Sequence, residues 1–186
     1  MEQDVHGRVF LDTCVVNFML EYGGQIHDSL PPPPDVNARA ATDINALRNL
    51  FLTGRRAGWQ FAVSPYTYSE IAATRDGARL SQLDSWFQEL WQYWRSVVDS
   101  DDGFPSFIEA EELRVRTLTS GYLSVLPDVA DRVLLCDALV YRCDLFCTRD
   151  WTTILKHRDD LAGLPIEIVT PSEWWARVQP YAGLWA

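Results

Sequence analysis

The sequence predicts an α/β protein, a three-layer α/β/α sandwich around a mainly parallel central sheet with additional helices. Two observations lead there. Short apolar runs recur along the chain, "RVFL" at 8–11, "WQFAVS" at 59–64, "DLFCT" at 144–148 and "PIEIVT" at 165–170. Between them lie longer stretches with helical periodicity. Strands alternating with helices imply a largely parallel sheet covered on both faces. At 186 residues the chain fits one domain over 1–186, with helical elaborations at about 37–58 and 78–123.

Each element follows from local chemistry. Residues 8–11 read as a short buried strand, with a helix following through about Leu20. "YGGQIHDSLPPPPDV" (22–36) reads as a loop, its four prolines stiff and extended. Over 38–57 the apolar residues Ile44, Leu47, Leu50 and Phe51 share one helical face. After the second strand, a helix is expected from about Pro65 to Thr74 and a longer one from about Ala78 to Val98. "DSDDGFP" (99–105) is an acidic turn, and a helix is expected from about Ser106 to Tyr122. Another helix beginning near Leu126 leads into the third strand. A short helix near 151–158 precedes the fourth strand, and "PSEWWARV" closes the chain as a helix.

Composition excludes several classes. No stretch approaches the roughly 20 apolar residues of a membrane span, and "MEQDVHGRVF" lacks the basic-then-apolar order of a signal peptide. Cys14, Cys136, Cys143 and Cys147 show neither a disulfide framework nor paired zinc spacing, which suits a reduced, cytoplasmic protein. The formal charge of −10 argues against a bulk electrostatic grip on nucleic acid but not against a local one. All but one of the 16 basic residues are arginine, suited to bidentate phosphate contact. Clusters near 55–56, 75–79, 114–116 and 156–158 could form basic rims around an acidic centre, though each reads more simply as ordinary solvated surface.

In open parallel sheets, functional residues collect beyond the carboxyl ends of the strands. Four acids fall in such places. Asp12 ends the first strand, and Glu70 lies six residues after the second. Asp131 opens the helix before the third strand, and Asp150 follows that strand. Each has a structural explanation when taken singly. Thr67–Glu70 matches a capping box, Asp128 and Asp131 suit a helix first turn, and Asp150 before "WTT" is a plausible N-cap. Capping, however, does not require the four to converge. Carboxylates gathered at one sheet edge repel one another, and a hard divalent cation with oxygen ligands relieves that repulsion. Such an ion activates water and neutralises charge on a phosphate. There is no Gly-rich phosphate loop and no GxSxG motif, and His6, His27 and His157 lie in unrelated contexts.

The stretches "VFLDTCVVNFML", "VSPYTYSEIAAT", "DRVLLCDALVYRCDLFCTRDW" and "IEIVTPSEWW" together resemble a PIN domain. The likeness covers both ends of the chain and fades over about 22–58 and 76–125. PIN domains are metal-dependent ribonucleases, many of them toxins of type II toxin–antitoxin pairs. The resemblance places the family's four acids on Asp12, Glu70, Asp131 and Asp150, with Asn17 and Thr148 as polar supporters. It implies that Asp12, Asp131 and Asp150 hold Mg²⁺ or Mn²⁺, directly or through water, while Glu70 orients a water. It also implies an RNA substrate, a homodimer and, for toxin members, an antitoxin protein.

Asp137 competes with Asp131 for the third place. Asp131 has the family's spacing to Asp150, and six helical residues turn Asp137 about 120° away from it. Asp137 is then a supporting inner-helix polar residue. Arg149 either contacts substrate phosphate or pairs with a neighbouring carboxylate. Phe87, Leu90, Trp91 and Trp94 share a helical face that suits a core or a dimer seam, whereas Trp86 or Tyr93 could stack on RNA bases. Trp174 and Trp175 are expected to pack against the sheet. Two other functions stay open: a PIN-fold module that binds RNA or protein with weak or no nuclease activity, and a phosphatase with Asp12 as nucleophile. The phosphatase usually wants a second acid two residues on, where this chain has Cys14.

Overall fold

The computed structural model describes residues 7–72, 88–97 and 105–185. Strands β1 (Arg8–Leu11), β2 (Gln60–Ala62), β3 (Leu145–Cys147) and β4 (Glu167–Val169) form one sheet in the order β2-β1-β3-β4. Every pairing is parallel, and Phe10 lies opposite Ala62 on one side and Phe146 on the other. The central residues are buried on both faces, which explains why the strand sequences read as apolar runs.

Successive strand side chains point to opposite faces, and the core divides accordingly. Val9, Leu11, Phe61, Val63, Leu145, Cys147 and Val169 pack with α1 (Thr13–Glu21), α3 (Ala38–Ala57) and α8 (Pro171–Val178). Phe10, Ala62, Phe146 and Ile168 pack with α6 (Phe107–Thr119) and α7 (Val129–Val140). The Phe10 and Phe146 rings stack across the strands with centroids 5.3 Å apart. Two apolar clusters on opposite faces of one sheet are compatible with a three-layer α/β/α sandwich.

The helices begin and end where side-chain chemistry allows. Asn37 caps α3 by accepting from the Ala40 N–H at 2.9 Å. Gly58 stops α3 in the left-handed region at φ +70°, a conformation costly for other residues. Ile44, Leu47 and Leu50 are fully buried as their spacing predicts, and Phe51 packs at the edge of the same cluster. Ser106–Glu109 opens α6 and Thr170–Glu173 opens α8, each as a complete capping box. Trp174 is 1% exposed and packs 5.1 Å from Trp59 and 6.3 Å from Phe61 of β2.

Several expectations change. The 22–36 loop contains a short helix, α2 (Gly23–His27). Ile26 is buried there, and Arg48 of α3 donates to the carbonyls of Gln25 and Leu30 at 2.8 and 2.7 Å. Tertiary contacts thus hold a helix that two glycines disfavour. Residues 151–158 form turns and a 3₁₀ segment at Leu155–His157 rather than an α-helix. In α4 (Pro65–Ala72), Thr67 lies inside the first turn, so Thr67–Glu70 is not a capping box. Ser64 takes that place, its Oγ accepting from the Tyr66 N–H at 3.0 Å.

Helix α5 is described over residues 88–97, and the rest of the 78–98 expectation, with Trp86 and Phe87, lies outside the described residues. So do most of the acidic turn at 99–105 and residues 75–79. Leu90 and Trp91 pack against the first cluster, and Trp94 is fully buried in the second, as the core reading requires. No helix among the described residues is long and apolar enough to cross a membrane.

Candidate active site

The strand order determines where a cleft opens. From β1 the chain crosses to β2 on one side, then returns past β1 to β3 on the other. The connections leaving β1 and β3 therefore diverge, and crevices form at such switch points beyond the carboxyl ends of the strands. A cleft of about 540 Å³ lies there, lined by Asp12, Asn17, Glu70, Asp131, Arg149, Asp150 and Trp151 among others. All four acids anticipated from the sequence line this one cleft.

Each carboxylate arrives by its own route. The Asp12 N–H extends the ladder by donating to the Cys147 carbonyl at 3.1 Å. Asp12 is also the N-cap position of α1, yet its side chain makes no capping bond and is left for the cleft. The Thr13 hydroxyl donates to that of Thr67 at 3.1 Å, tying α1 to α4, the helix that carries Glu70. Asp128 caps α7 through the Ala130 N–H at 2.8 Å, which leaves Asp131 in the first turn free of that duty. Asp150 anchors the turn after β3, accepting from the N–H groups of Thr152 and Thr153 at 2.8 and 3.0 Å. Both threonine hydroxyls donate to it as well.

Asp12 is 3% exposed. Thr148 Oγ1 donates to its Oδ2 at 2.5 Å and the Cys14 thiol at 2.8 Å. Burial is the main influence on this carboxyl. Those two bonds offset part of it, the charges of Asp131 and Asp150 add to it, and its pKa is pushed up to about 6. Burial likewise raises Asp131, opposed by a hydrogen bond with Thr153 and reinforced by the charges of Asp150, Asp128 and Glu70. At Asp150 burial also pushes upward, but the bonds from Thr153 and Thr152 outweigh it and its pKa falls. One cleft thus holds acids driven in opposite directions, a pattern common at functional sites.

Glu70 Oε2 and Asp131 Oδ2 are buried without a hydrogen-bond partner. Orphaned acceptors of this kind are costly. An all-oxygen set with unsatisfied lone pairs fits a hard divalent cation. Among the described residues, however, no three His, Cys, Asp or Glu side chains are gathered closely enough to grip an ion as they stand. Asp12 and Asp150 instead turn their oxygens toward the hydroxyls of Thr148, Thr152 and Thr153.

Asn17 lines the cleft wall as anticipated, and Thr148 supports the site from behind by donating to Asp12 and accepting from the Asp150 N–H at 3.0 Å. Asp137, expected as a supporting inner-helix polar residue, does not line the cleft. It is 2% exposed and accepts from Arg114 Nε at 2.7 Å and from the Ser64 hydroxyl. Ser64 starts α4, so Asp137 supports the helix bearing Glu70 rather than the cleft itself. Arg149 reaches the wall, but its Nε donates to buried Asp43 at 2.9 Å and its guanidinium lies 3.5 Å from the Phe18 ring centroid. It pairs with a carboxylate, the second of its two readings. Of the other arginine clusters, Arg114 is held by Asp137 and Glu111, and Arg158 by Glu173.

Of the five lining residues that the sequence did not single out (Thr13, Cys14, Leu134, Trp151 and Thr152), Cys14 and Trp151 bear most on the site. Cys14 bonds Asp12 and accepts from the Arg149 N–H at 3.1 Å, joining the ends of β1 and β3. Its place two residues after a strand-end acid was its only signal. Trp151 is 46% exposed on the cleft wall. An indole inside a strand-end turn, directly after an acid, could have been noticed. No protein-family model, characterised protein or solved structure matches this chain.

Proposed function

We propose that the protein is a PIN-like, divalent-metal-dependent ribonuclease. The observation that carries the reading is the convergence of Asp12, Glu70, Asp131 and Asp150 on one switch-point cleft, with two of their oxygens buried and unpartnered. Structural caps need not converge, and none of Asp12, Asp131 and Asp150 makes the side-chain capping bond of a helix.

In this reading Asp12, Asp131 and Asp150 hold Mg²⁺ or Mn²⁺, the cation implied by the resemblance and suited to the oxygen donors. When bound, the ion supplies charge neutralisation at the phosphate and a more acidic water. Thr148 and Cys14 fix the rotamer of Asp12, and Thr152 and Thr153 fix that of Asp150. Glu70 Oε2, which has no partner of its own, orients the attacking water by accepting its hydrogen bond. The water oxygen bonds to phosphorus as the bond to the 3′ oxygen breaks. One water proton ends on that oxygen, leaving a 5′-phosphate and a 3′-hydroxyl. An antitoxin partner and a homodimer extend the same proposal.

The test is incubation with labelled single-stranded RNA in Mn²⁺, Mg²⁺ or chelator, beside Asp12→Asn, Asp131→Asn and Asp150→Asn. The expected outcome is metal-dependent cleavage by the wild type and loss of at least about 100-fold in each variant, the scale of losing one group that stabilises developing charge. RNA binding without cleavage by every form would instead favour the binding-module reading. Light scattering and co-purification with the product of an adjacent gene test the homodimer and the antitoxin.

A further inference from the structure

An acidic cleft repels a polyanion, so an RNA strand needs a separate hold near it. Arg149, the arginine on the cleft wall, is engaged with Asp43 and Phe18. Beside it stands Trp151, with nearly half its surface exposed and in the cleft lining. The Arg39 guanidinium sits over the indole, 4.4 Å from the ring centroid. Arg39 is exposed and has no carboxylate partner among the described residues. It is also the second residue of α3, where a cation works against the helix dipole, and no acidic residue in that first turn compensates. The pair therefore offers an indole beside the catalytic acids and an unneutralised cation next to it.

Resting on the ribonuclease reading above, we infer that Trp151 and Arg39 form a subsite for one unpaired nucleotide of single-stranded RNA. The base stacks on Trp151, and an adjoining phosphate is held by Arg39. Trp151 directly follows Asp150, so the stacked base belongs to a nucleotide neighbouring the scissile phosphate. A paired base cannot reach the ring, which makes the subsite selective for single strands. Tyr93, the exposed aromatic considered from the sequence, is 44% exposed on α5 and does not line the cleft.

The test measures fluorescence anisotropy with three probes: a short single-stranded RNA, an abasic oligoribonucleotide of the same length, and the RNA annealed to its complement. Ca²⁺ stands in for Mn²⁺, and strand cleavage is scored separately in Mn²⁺. Trp151→Ala is expected to weaken the base-bearing single strand about tenfold or more while leaving the abasic strand unchanged, as loss of one stacked base should. Trp151→Leu keeps apolar bulk without an aromatic face and should show the same loss. Trp151→Phe should bind within a few-fold of wild type. Arg39→Ala should weaken base-bearing and abasic single strands alike. Equal affinity of wild type, Trp151→Ala and Trp151→Leu for the base-bearing strand would overturn the subsite. So would an equal loss on the abasic strand, which would mark Trp151 as a structural staple between α3 and the turn after β3. Normal cleavage with a silent Trp151 removes the subsite and leaves the nuclease. Trp151-dependent binding without cleavage does the reverse.

Discussion

Asp12→Asn should make the metal-free protein more stable at neutral pH while depriving it of metal-dependent stabilisation. The Asp12 carboxyl is buried beside other acids, and its pKa rises from 3.8 to about 6. Between those values the folded chain binds more protons than the unfolded chain. The stability this carboxyl contributes is complete below pH 4, falls as pH rises through 6, and stays low above that. At about 1.4 kcal/mol per pH unit, the fall amounts to roughly 3 kcal/mol. Asparagine keeps an acceptor for Thr148 and Cys14 but forgoes the charge in those bonds, offsetting about 1 kcal/mol. A net gain of about 1–2 kcal/mol remains, or roughly 2–8 °C in Tm for a chain of this size. The assay is thermal unfolding in chelator from pH 4.5 to 8, repeated in Mn²⁺ at neutral pH. Wild type should lose Tm with rising pH more steeply than Asp12→Asn. Wild type alone should regain it with Mn²⁺, by about 2.7 kcal/mol at a hundred times Kd. Parallel pH profiles for the two proteins, or a variant less stable at pH 7.5 in chelator, would refute the reasoning.

Arg114→Ala strips buried Asp137 of its ion-pair partner and should cost about 3–5 kcal/mol; urea unfolding measures it, and Asp137→Asn in the same background should restore part of the loss. At Gly54 an added methyl would meet the Trp59 ring at 2.8 Å and the Phe61 ring at 3.1 Å. Gly54→Ala should therefore cost about 1–3 kcal/mol by overpacking, read from the denaturant midpoint at an unchanged m-value.

The sequence by itself determined the four strands and pointed to the four acids. The central residues of a strand buried on both faces must be apolar, so β1, β2, β3 and β4 stand out as short runs even though three of them open on half-buried Arg8, Gln60 and Glu167. A polar residue at the end of such a run is equally visible, which is why Asp12 and Asp150 could be identified without knowing the strand order. Helix periodicity separated Asp131 from Asp137, because six residues carry the second carboxylate to another side of α7. The structure sends that carboxylate to Arg114 and Ser64. Local signals such as Ser106–Glu109 and Thr170–Glu173 also sufficed to start α6 and α8.

Tertiary structure decided what depends on distant neighbours. Helix α2 has little propensity of its own and forms because Ile26 is buried and Arg48, far along the chain, takes two of its nearby carbonyls. Thr67–Glu70 looked like a capping box, but Ser64 had already started the helix. Arg149 lost its open choice to Asp43, a residue 106 positions away. The pairing of Trp151 with Arg39 joins a turn after β3 to the start of α3, and nothing in either segment announces the other. The order β2-β1-β3-β4 was likewise beyond the sequence pattern. Apolar periodicity tells a residue which face it must bury, whereas the identity of its partner depends on how the sheet is wound.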